Sequence, residues 1–525
     1  MVKPPLKNSK CSDQLRLVFL TVFVFYVSLL LLENYFSVTG HHGVTFSIFN
    51  MQNDATRKVV VYTNQNNVTS EALDKPNCIT ENFTENNNVE ELVKESPTRN
   101  LDPCSGKYIY VHDLPKRFNE DLLKNCHTLS KWTNMCPYVS NLGLGPKVII
   151  DKSKRRVLSE KSWYATNQFT LEIIFHNTMK HYKCLTNDSS LASAVYVPYY
   201  AGLDVGQYLW GFNVSVRDSS PKELVKWLGK QPQWKKLWGR DHFFVGGRIG
   251  NDFRRKTEEY DDWGSKLMFL PEAKNMSILP IESGGPYGND FPIPYPTYFH
   301  PSKDVEIFQW QEKMRKVKRP YLFTFAGAPR PNSTTSIRNE LIKQCQSSRS
   351  CKFHYCYGHK DNRNHCDDPV QVMKVFQSSV FCLQPPGDSY TRRSIFDSIL
   401  AGCVPVFFHP ESAYNQYLWH FPRNGSSYSI YIPESDVKKV VLNETLSRVP
   451  ASEVLAMKEE VIRLIPRIIY SNPRSRLEAF EDAFDIAVKG ILGRIEAIRR
   501  EVNTNVEIFS GLGFVNMNNT SSSSA

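Results

Sequence analysis

The segment 383–408, LQPPGDSYTRRSIFDSILAGCVPVFF, constrains the fold of this chain more than any other part of it. The apolar residues 379–383 predict a strand, and the Pro-Pro-Gly sequence after them predicts a turn. The polar residues 388–391 then open a predicted helix that ends at Gly402, and a second strand is predicted over 403–408. A strand, a loop, a helix and a strand in this order indicate a parallel sheet with helices on its faces.

The beginning of this helix is a candidate phosphate site. Free N–H groups and the helix dipole favour an anion there, and Arg392 and Arg393 add forked donors suited to a diphosphate. Successive helix residues point about 100° apart. We therefore expect one guanidinium group, that of Arg392 before that of Arg393, to meet the phosphate while the other supports the domain. Two solvated arginines on an ordinary helix are the alternative interpretation.

Four further blocks accompany this unit: YIYVHDLP at 108–115, YVPYYAGLD at 196–204, GRDHFFV at 239–245 and YLFTFAG at 321–327. Together the five blocks resemble the plant branch of the exostosin-like glycosyltransferases, glycosyltransferase family 47, and within it the xyloglucan galactosyltransferase group. The resemblance covers roughly residues 104–500. It implies an α/β fold of two Rossmann-like domains that face a cleft, the glycosyltransferase B fold. The apolar run 17–32 separately predicts a single N-terminal transmembrane helix before these domains.

The chain has 525 residues, which is too many for one compact core. Strands are predicted over 107–111, 194–200, 242–245 and 321–326, and helices over 164–180, 222–228, 452–469 and 474–500. The predicted segments are a cytoplasmic tail (1–16), a transmembrane anchor (17–36), a flexible lumenal stem (37–103), an N-terminal acceptor-side domain (104–300), a linker (301–319), a C-terminal nucleotide-sugar-binding domain (320–470), C-terminal helices (471–502) and a loose tail (503–525).

The apolar run 17–32 follows four basic residues, so we expect the N-terminus to stay in the cytoplasm. No small-x-small cleavage site follows it, which favours an uncleaved anchor over a signal peptide. A short span suits the thinner membranes of the early secretory pathway, so the expected location is the Golgi membrane, single-pass type II, with a lumenal body. Sequons for glycosylation agree with a lumenal body and start at Asn67, Asn82, Asn187, Asn213, Asn275, Asn332, Asn424, Asn443, Asn518 and Asn519.

Eleven of the twelve cysteines lie beyond the apolar run, where an oxidising lumen allows disulfides. The spacing of Cys345, Cys351, Cys356 and Cys366 matches no usual zinc pattern, so local disulfides are predicted there, with the pairing left open. The formal charge of +11 comes from dispersed Lys and Arg residues without a nucleic-acid module, so no nucleic-acid partner is expected.

Ligands of parallel sheets bind beyond the carboxyl ends of the strands. In the second half, Gly327 permits close approach of a ligand, and Arg330 or Arg338 could contact a phosphate. The resemblance favours Arg338 and implies that Asp397 accepts hydrogen bonds from ribose hydroxyls. The residues expected to bind the nucleotide sugar are Gly327, Arg338, Gly387, Ser389, Tyr390, Thr391, Arg392, Arg393, Ser394 and Asp397.

Inverting transfer needs a base that removes the proton of the acceptor hydroxyl, which a carboxylate or histidine can do. Asp204 and Asp252 follow predicted strands and are the first candidates, with His112 third. Each of them could instead cap a turn. His242 precedes its strand, so we interpret it as mainly structural. Five aromatic residues flank the expected cleft, where they could stack on sugar rings or simply pack: Tyr199, Tyr200, Tyr208, Trp210 and Tyr287.

The chain contains no Asp-x-Asp, the usual device for a manganese-held nucleotide sugar. We therefore expect no cofactor and a metal-independent reaction. The resemblance implies inverting transfer of galactose from UDP-galactose to xylosyl side chains of xyloglucan, in the Golgi membrane and in possible complexes with other glycosyltransferases. A transferase of galacturonic acid or arabinose and a non-catalytic lumenal glycan-binding protein are the alternatives.

Overall fold

The computed structural model describes residues 102–330, 333, 336–356 and 365–515, with side chains up to residue 502. The predicted cytoplasmic tail, the transmembrane anchor and the stem up to residue 101 lie outside the described residues, as do Asn67, Asn82, Asn332, Asn518 and Asn519. Over the described ranges, the search for a helix with the length and apolarity to cross a bilayer finds none. The residues from 102 onwards belong to one compact unit.

A four-stranded parallel sheet forms the first half of this unit, in the order β1-β2-β3-β4. Its strands are β1 (Tyr108–Val111), β2 (Ala192–Tyr196), β3 (His242–Ile249) and β4 (Ser277–Glu282). The sequence did not predict β4, because Pro280 interrupts the pattern. Pro280 is tolerated because β4 is an edge strand of this sheet. The helices of this half are α1 (Glu120–Lys124), α2 (Leu171–Met179), α3 (Ala201–Gly206), α4 (Val214–Arg217), α5 (Ser219–Leu228) and α6 (Pro232–Leu237).

A five-stranded parallel sheet forms the second half, in the order β6-β5-β7-β8-β9. Its strands are β5 (Tyr321–Gly327), β6 (Cys351–Tyr355), β7 (Ser379–Gln384), β8 (Val404–Phe407) and β9 (Ile430–Tyr431). Its helices are α7 (Asp304–Lys316), α8 (Arg338–Ser347), α9 (Pro369–Gln377), α10 (Arg393–Leu400) and α11 (Leu442–Ser447). The α/β fold with two parallel sheets is thus as predicted, and the segment predicted as a linker contains α7.

Two long helices, α12 (Ala451–Ile468) and α13 (Ala483–Val515), follow the second sheet. As expected, the last helix returns to the first sheet, where Phe484 packs on Phe175 with ring centroids 4.7 Å apart and Arg499 donates to the Ala192 carbonyl. The helix continues to Val515, so the beginning of the segment predicted as a loose tail is helical. The largest hydrophobic cluster runs through both halves, with Trp163 of the first half packed on Trp310 of α7, and two further clusters lie in the first half.

Five disulfides lie in the described part of the chain: Cys104–Cys184, Cys126–Cys136, Cys345–Cys351, Cys356–Cys366 and Cys382–Cys403. The four clustered cysteines form two local bridges, as predicted, which rules out a zinc site made of those four thiolates. The bridge from β7 to the residue before β8 holds two neighbouring buried strands together.

Candidate active site

A cavity of about 610 Å³ lies between the carboxyl ends of the two sheets. The second half supplies most of its wall, with Arg330, Arg338, Gly387, Ser389, Thr391, Arg392, Arg393, Ser394 and Asp397 among the lining residues. The first half supplies Trp132, Arg248, Asp252 and Trp263. Within each sheet the parallel strands point the same way, so their carboxyl ends lie along one edge. The lining residues follow strands of both sheets. Five guanidinium groups line the cavity together with four carboxyl groups, those of Asp252, Asp367, Asp388 and Asp397, so the lining has an excess of positive charge that favours an anionic ligand.

Arg392 lines the cavity and is a candidate to bind an anion through its guanidinium group. Its backbone is extended and caps α10 instead of lying in the helix. Burial lowers the pKa of its side chain to about 10, and the charge of Arg330 adds to this effect. Within the described part of the chain, its guanidinium group makes no hydrogen bond or ion pair. A bound diphosphate would supply the missing negative charge.

Arg338 lies at the start of α8 and backs the turn after β7. It is buried, and its Nε donates a 3.0 Å hydrogen bond to the Pro386 carbonyl. The neighbouring Gly387 allows this approach, because a Cβ atom there would lie 3.0 Å from Arg338 Nη2. The turn therefore presents a backbone segment and a guanidinium group to the cavity together.

Arg393 and Asp397 form a pair one turn apart on α10, with Arg393 Nε 3.4 Å from Asp397 Oδ2. Arg393 also lies 3.6 Å from the ring centroid of Tyr298 and donates a 2.5 Å hydrogen bond to the Thr166 carbonyl of the first half. It thus joins the two halves, in line with the supporting role expected for the second arginine. Ser394, next to it, donates to Gln384 at 2.7 Å.

Asp397 lines the cavity and has one carboxyl oxygen that is not paired within the described part of the chain. Its Oδ1 is buried and has no hydrogen-bond partner among the described residues. Burial raises the pKa of this carboxyl group to about 7, and Arg393 only partly opposes the rise. An unpaired carboxylate oxygen in a cavity suits the hydroxyl groups of a sugar.

The loop 389–391 differs from the expectation. Helix α10 begins at Arg393, so Ser389, Tyr390 and Thr391 precede it instead of forming its first turn. Their donors point to Glu282 at the end of β4: the Ser389 hydroxyl donates at 2.6 Å, and the N–H groups of Tyr390 and Thr391 donate at 3.0 and 3.4 Å. The predicted helix start is therefore wrong, whereas binding of the donor by Ser389 and Thr391, which line the cavity, stays a prediction.

Glu282 itself was missed because β4 was not predicted. Burial raises the pKa of its carboxyl group to about 7, while the three hydrogen bonds oppose the rise. Glu282 could have been found from the sequence as the acidic residue that ends an apolar segment containing a proline, which is the pattern of an edge strand.

Two residues expected at the donor site lie outside the cavity wall. Gly327 ends β5, and a Cβ atom there would lie 2.6 Å from the ring of Phe325, so local packing explains the glycine. Tyr390 is half exposed, and its ring stacks on His409 at 4.2 Å. Neither residue is among those that line the cavity.

Asp252 is the one residue of the three base candidates that lines the cavity. It follows β3, its Oδ1 accepts a 2.6 Å hydrogen bond from Trp263 Nε1, and its Oδ2 accepts a 3.2 Å hydrogen bond from Arg248 Nη1. Burial raises the pKa of its carboxyl group, and Arg248 opposes the rise. Asp204 lies in the interior of the first half, where the Tyr199 hydroxyl donates to it at 2.7 Å and burial raises its pKa to about 6.

His112 lies in a buried chain of polar groups instead of the cavity. Its Nε2 is 3.1 Å from His242 Nε2, and His242 Nδ1 is 2.8 Å from Asp241, which pairs with Arg499 of α13. Burial lowers the pKa of His112 to about 3. The strands are offset, since Tyr196 is level with both Val111 and Phe243. The start of β3 is therefore level with the end of β1 across the intervening β2, which the strand-end rule could not foresee.

Four of the aromatic residues expected along the cleft pack elsewhere: Tyr199 and Tyr200 are buried, Tyr208 contacts Phe212, and Tyr287 lies under Arg254. The fifth, Trp210, is not a lining residue itself but stacks on Trp263, which is. Trp132 and Trp263, which sequence reasoning missed, line the cavity instead. In the described ranges no group of three or more His, Cys, Asp or Glu side chains could hold a metal ion. Among the described sequons, Asn187, Asn213 and Asn424 are exposed, whereas Asn275 and Asn443 are half-buried.

Comparison with known proteins identifies the family of the chain. A model of the Exostosin GT47 domain matches residues 103–449. Xyloglucan galactosyltransferase MUR3 of Arabidopsis thaliana is 55% identical over 404 residues, which are 76% of this chain and 64% of that protein. Probable xyloglucan galactosyltransferase GT12 of the same plant is 53% identical over 423 residues, 79% of this chain and 82% of that protein.

Xyloglucan-specific galacturonosyltransferase 1 of Arabidopsis thaliana is 42% identical over 399 residues, 75% of this chain and 58% of that protein. The match to xyloglucan galactosyltransferase MUR3 spans less than two thirds of the length of that protein. Among solved structures, the pneumococcal O-GlcNAc transferase GtfA in complex with UDP and GlcNAc matches 55% of this chain and 60% of its own, with 12% identity and a TM-score of 0.24. That score is too low to relate the two folds.

Proposed function

This chain belongs to the Exostosin GT47 domain family, and on that premise we propose that it transfers galactose from UDP-galactose, with inversion, to xylosyl side chains of xyloglucan. The observation that carries the proposal is the 55% identity to a xyloglucan galactosyltransferase over 76% of the chain. The cavity lined by arginines supports it, because a nucleotide sugar needs its diphosphate neutralised. The two facing parallel sheets fit a glycosyltransferase B arrangement.

The donor is proposed to bind to the second half. Arg392 and Arg338 face the diphosphate from the loop after β7 and from α8, and Arg393 adds charge from α10. Asp397 accepts hydrogen bonds from the ribose hydroxyls through its unpaired Oδ1. The arginines can stabilise the negative charge that grows on the leaving UDP as the bond to the sugar breaks.

The acceptor is proposed to react from the first half, with Asp252 as the base. Its carboxylate takes the proton of the attacking hydroxyl while the hydroxyl oxygen forms a bond to the anomeric carbon, and the bond from that carbon to UDP breaks on the opposite face. One displacement inverts the configuration. Trp263 and Arg248 hold the two oxygens of Asp252 in place, and a base of this kind contributes about 10²- to 10⁴-fold in rate.

A panel of UDP-sugars tests the donor. The full chain, purified in detergent, is assayed with xyloglucan oligosaccharides and UDP-galactose, UDP-galacturonic acid or UDP-arabinose. We expect galactose transfer to dominate. Preference for galacturonic acid would favour the activity named for the 42% identical relative, and binding of oligosaccharide without transfer from any donor would leave a non-catalytic glycan-binding protein.

We also propose that the protein resides in the Golgi membrane as a single-pass type II protein and associates there with other glycosyltransferases. Basic residues before the apolar run and sequons after it support this orientation. Five disulfides in the described part of the chain fit an oxidising lumen. Protease added to intact Golgi vesicles should spare the catalytic body, and digestion without detergent would contradict the orientation.

A further inference from the structure

Three tryptophans form a cluster at the rim of the cavity on the side of the first half. The rings of Trp210 and Trp263 are stacked, with 10° between their planes and 5.0 Å between their centroids. Trp132 lies 5.2 Å from Trp210 and 6.1 Å from Trp263. We call these three residues the tryptophan platform.

Two of the three indole rings of the platform are largely exposed to solvent. Trp132 is 57% exposed and Trp263 is 40% exposed, and both line the cavity. Exposed aromatic area next to a polar cavity is typical of a ligand site, because burying it against a ligand is favourable.

The protein holds the platform in place before any ligand arrives. The disulfide Cys126–Cys136 closes the loop that carries Trp132. Lys131, next in the chain, lies 4.1 Å from the ring centroid of Trp210 and donates to the Trp210 carbonyl. A site arranged in advance loses less conformational entropy on binding.

The platform is connected directly to the proposed base. Trp263 Nε1 donates a 2.6 Å hydrogen bond to Asp252 Oδ1, so one edge of the Trp263 ring touches the carboxylate. The second half of the molecule supplies Arg338, Arg392 and Asp397 to the same cavity, and these residues would take the diphosphate and ribose of the donor. A ligand on the platform therefore meets the base from the acceptor side.

We infer that the tryptophan platform binds the sugar rings of the polysaccharide acceptor that flank the reacting xylosyl residue. This inference rests on the proposed function. Sugar rings present flat faces of C–H groups, which pack on the electron-rich faces of aromatic rings. The uracil of the donor is the competing occupant, but the groups that would hold its ribose and diphosphate come from the second half of the molecule, whereas the platform belongs to the first half.

Trp132→Ala in the full chain is the main test. Steady-state kinetics with a xyloglucan oligosaccharide should show the acceptor KM raised about tenfold, with kcat and the affinity for UDP-galactose unchanged. Trp238→Ala is the matched control, because Trp238 is 65% exposed but lies outside the cavity lining. That variant should behave like the wild type.

Trp263→Phe separates stacking from the hydrogen bond to the base. A phenyl ring still stacks but has no N–H group, so the acceptor KM should stay within about threefold. The pKa of Asp252 should rise when this donor is lost. The acidic limb of the kcat profile should shift to higher pH, a change that a purely structural role of Trp263 would not cause.

Three results would overturn the inference or its premise separately. An acceptor KM unchanged in Trp132→Ala would mean that the platform does not bind the acceptor. Weaker UDP-galactose binding in that variant would assign the platform to uracil. If the wild type transfers no sugar, the decision rests on calorimetric titration with the oligosaccharide. Binding by the wild type that is weaker in Trp132→Ala would support the platform and reject the proposed activity. No binding by the wild type would reject both.

Discussion

Glu282 and Ser389 form a 2.6 Å hydrogen bond across the boundary between the two halves, 107 positions apart in the sequence. The same carboxylate accepts from the N–H groups of Tyr390 and Thr391, so the last residue of β4 orders the loop that leads into α10. The loop beside the diphosphate site is therefore shaped by the first half of the molecule before the donor binds.

Removing this carboxylate should destabilise the fold. Glu282→Ala leaves three donors without their acceptor, and we expect the free energy of unfolding to fall by about 1–3 kcal/mol. Glu282→Gln should cost less, because its amide oxygen still accepts from the two N–H groups. Denaturant unfolding of both variants measures this. Glu453→Ala, at an exposed position of α12, is the control, and an equal effect of Ala at 282 and 453 would contradict the assigned role.

Arg392→Ala should weaken donor binding. The substitution removes a charged partner of the diphosphate, which should cost about 1.5–3 kcal/mol, or about ten- to a hundredfold in affinity for UDP-galactose. Calorimetric titration measures this. Arg463→Ala removes an arginine that is 65% exposed and paired with Glu460 on α12, and it should bind the donor normally. Unchanged affinity in Arg392→Ala would show that another arginine meets the phosphate.

Asp252→Asn and Asp204→Asn should separate the base from a structural acid. An amide at 252 cannot take the acceptor proton, so kcat should fall about 10²- to 10⁴-fold while UDP affinity is kept. Asp204 does not line the cavity, so Asp204→Asn should keep turnover and act on stability. The reverse pattern, with turnover lost only in Asp204→Asn, would move the base into the interior of the first half.

Donor affinity should depend on pH through Asp397. The pKa of the Asp397 carboxyl group is about 7 in the folded protein, above the ordinary value of 3.8. The protonated group therefore stabilises the folded state fully below pH 3.8, and this contribution to the free energy of unfolding is lost as the pH rises through about 7. Ribose hydroxyls donate most strongly to the ionised form. Affinity for UDP-galactose, whose diphosphate charge is constant here, should thus rise with pH through about 7. A flat titration curve in the wild type, or the same curve in Asp397→Asn, would refute this.

Transfer should continue in excess EDTA. We expect the guanidinium groups of Arg338, Arg392 and Arg393 to neutralise the leaving diphosphate in place of a metal ion. Radiolabelled galactose transfer with and without the chelator measures this. Complete loss of transfer that manganese restores would reveal a metal requirement.

The surroundings of His242 could not be predicted from its position relative to a strand. From the sequence it precedes a strand and should lie far from the ligand end of the sheet. In the structure β3 is shifted along β2, so His242 is 3.1 Å from His112, which follows β1. Both rings are buried outside the cavity lining. The structural interpretation of His242 remains a prediction, and its neighbour His112 shares its surroundings.

The sequence by itself determined the elements whose pattern is local. The strand β7, the turn with Gly387, the existence of the following helix and the presence of local disulfides could be predicted, because apolar runs, turn residues and short cysteine spacings act over a few positions. The start of that helix and the pairing of the cysteines could not. Only the tertiary structure decided which partners those elements meet. Glu282 reaches Ser389, and Trp132 and Trp263 come together beside Asp252. Such contacts depend on strand offset and on how the two sheets face each other, and no short stretch of sequence contains that information.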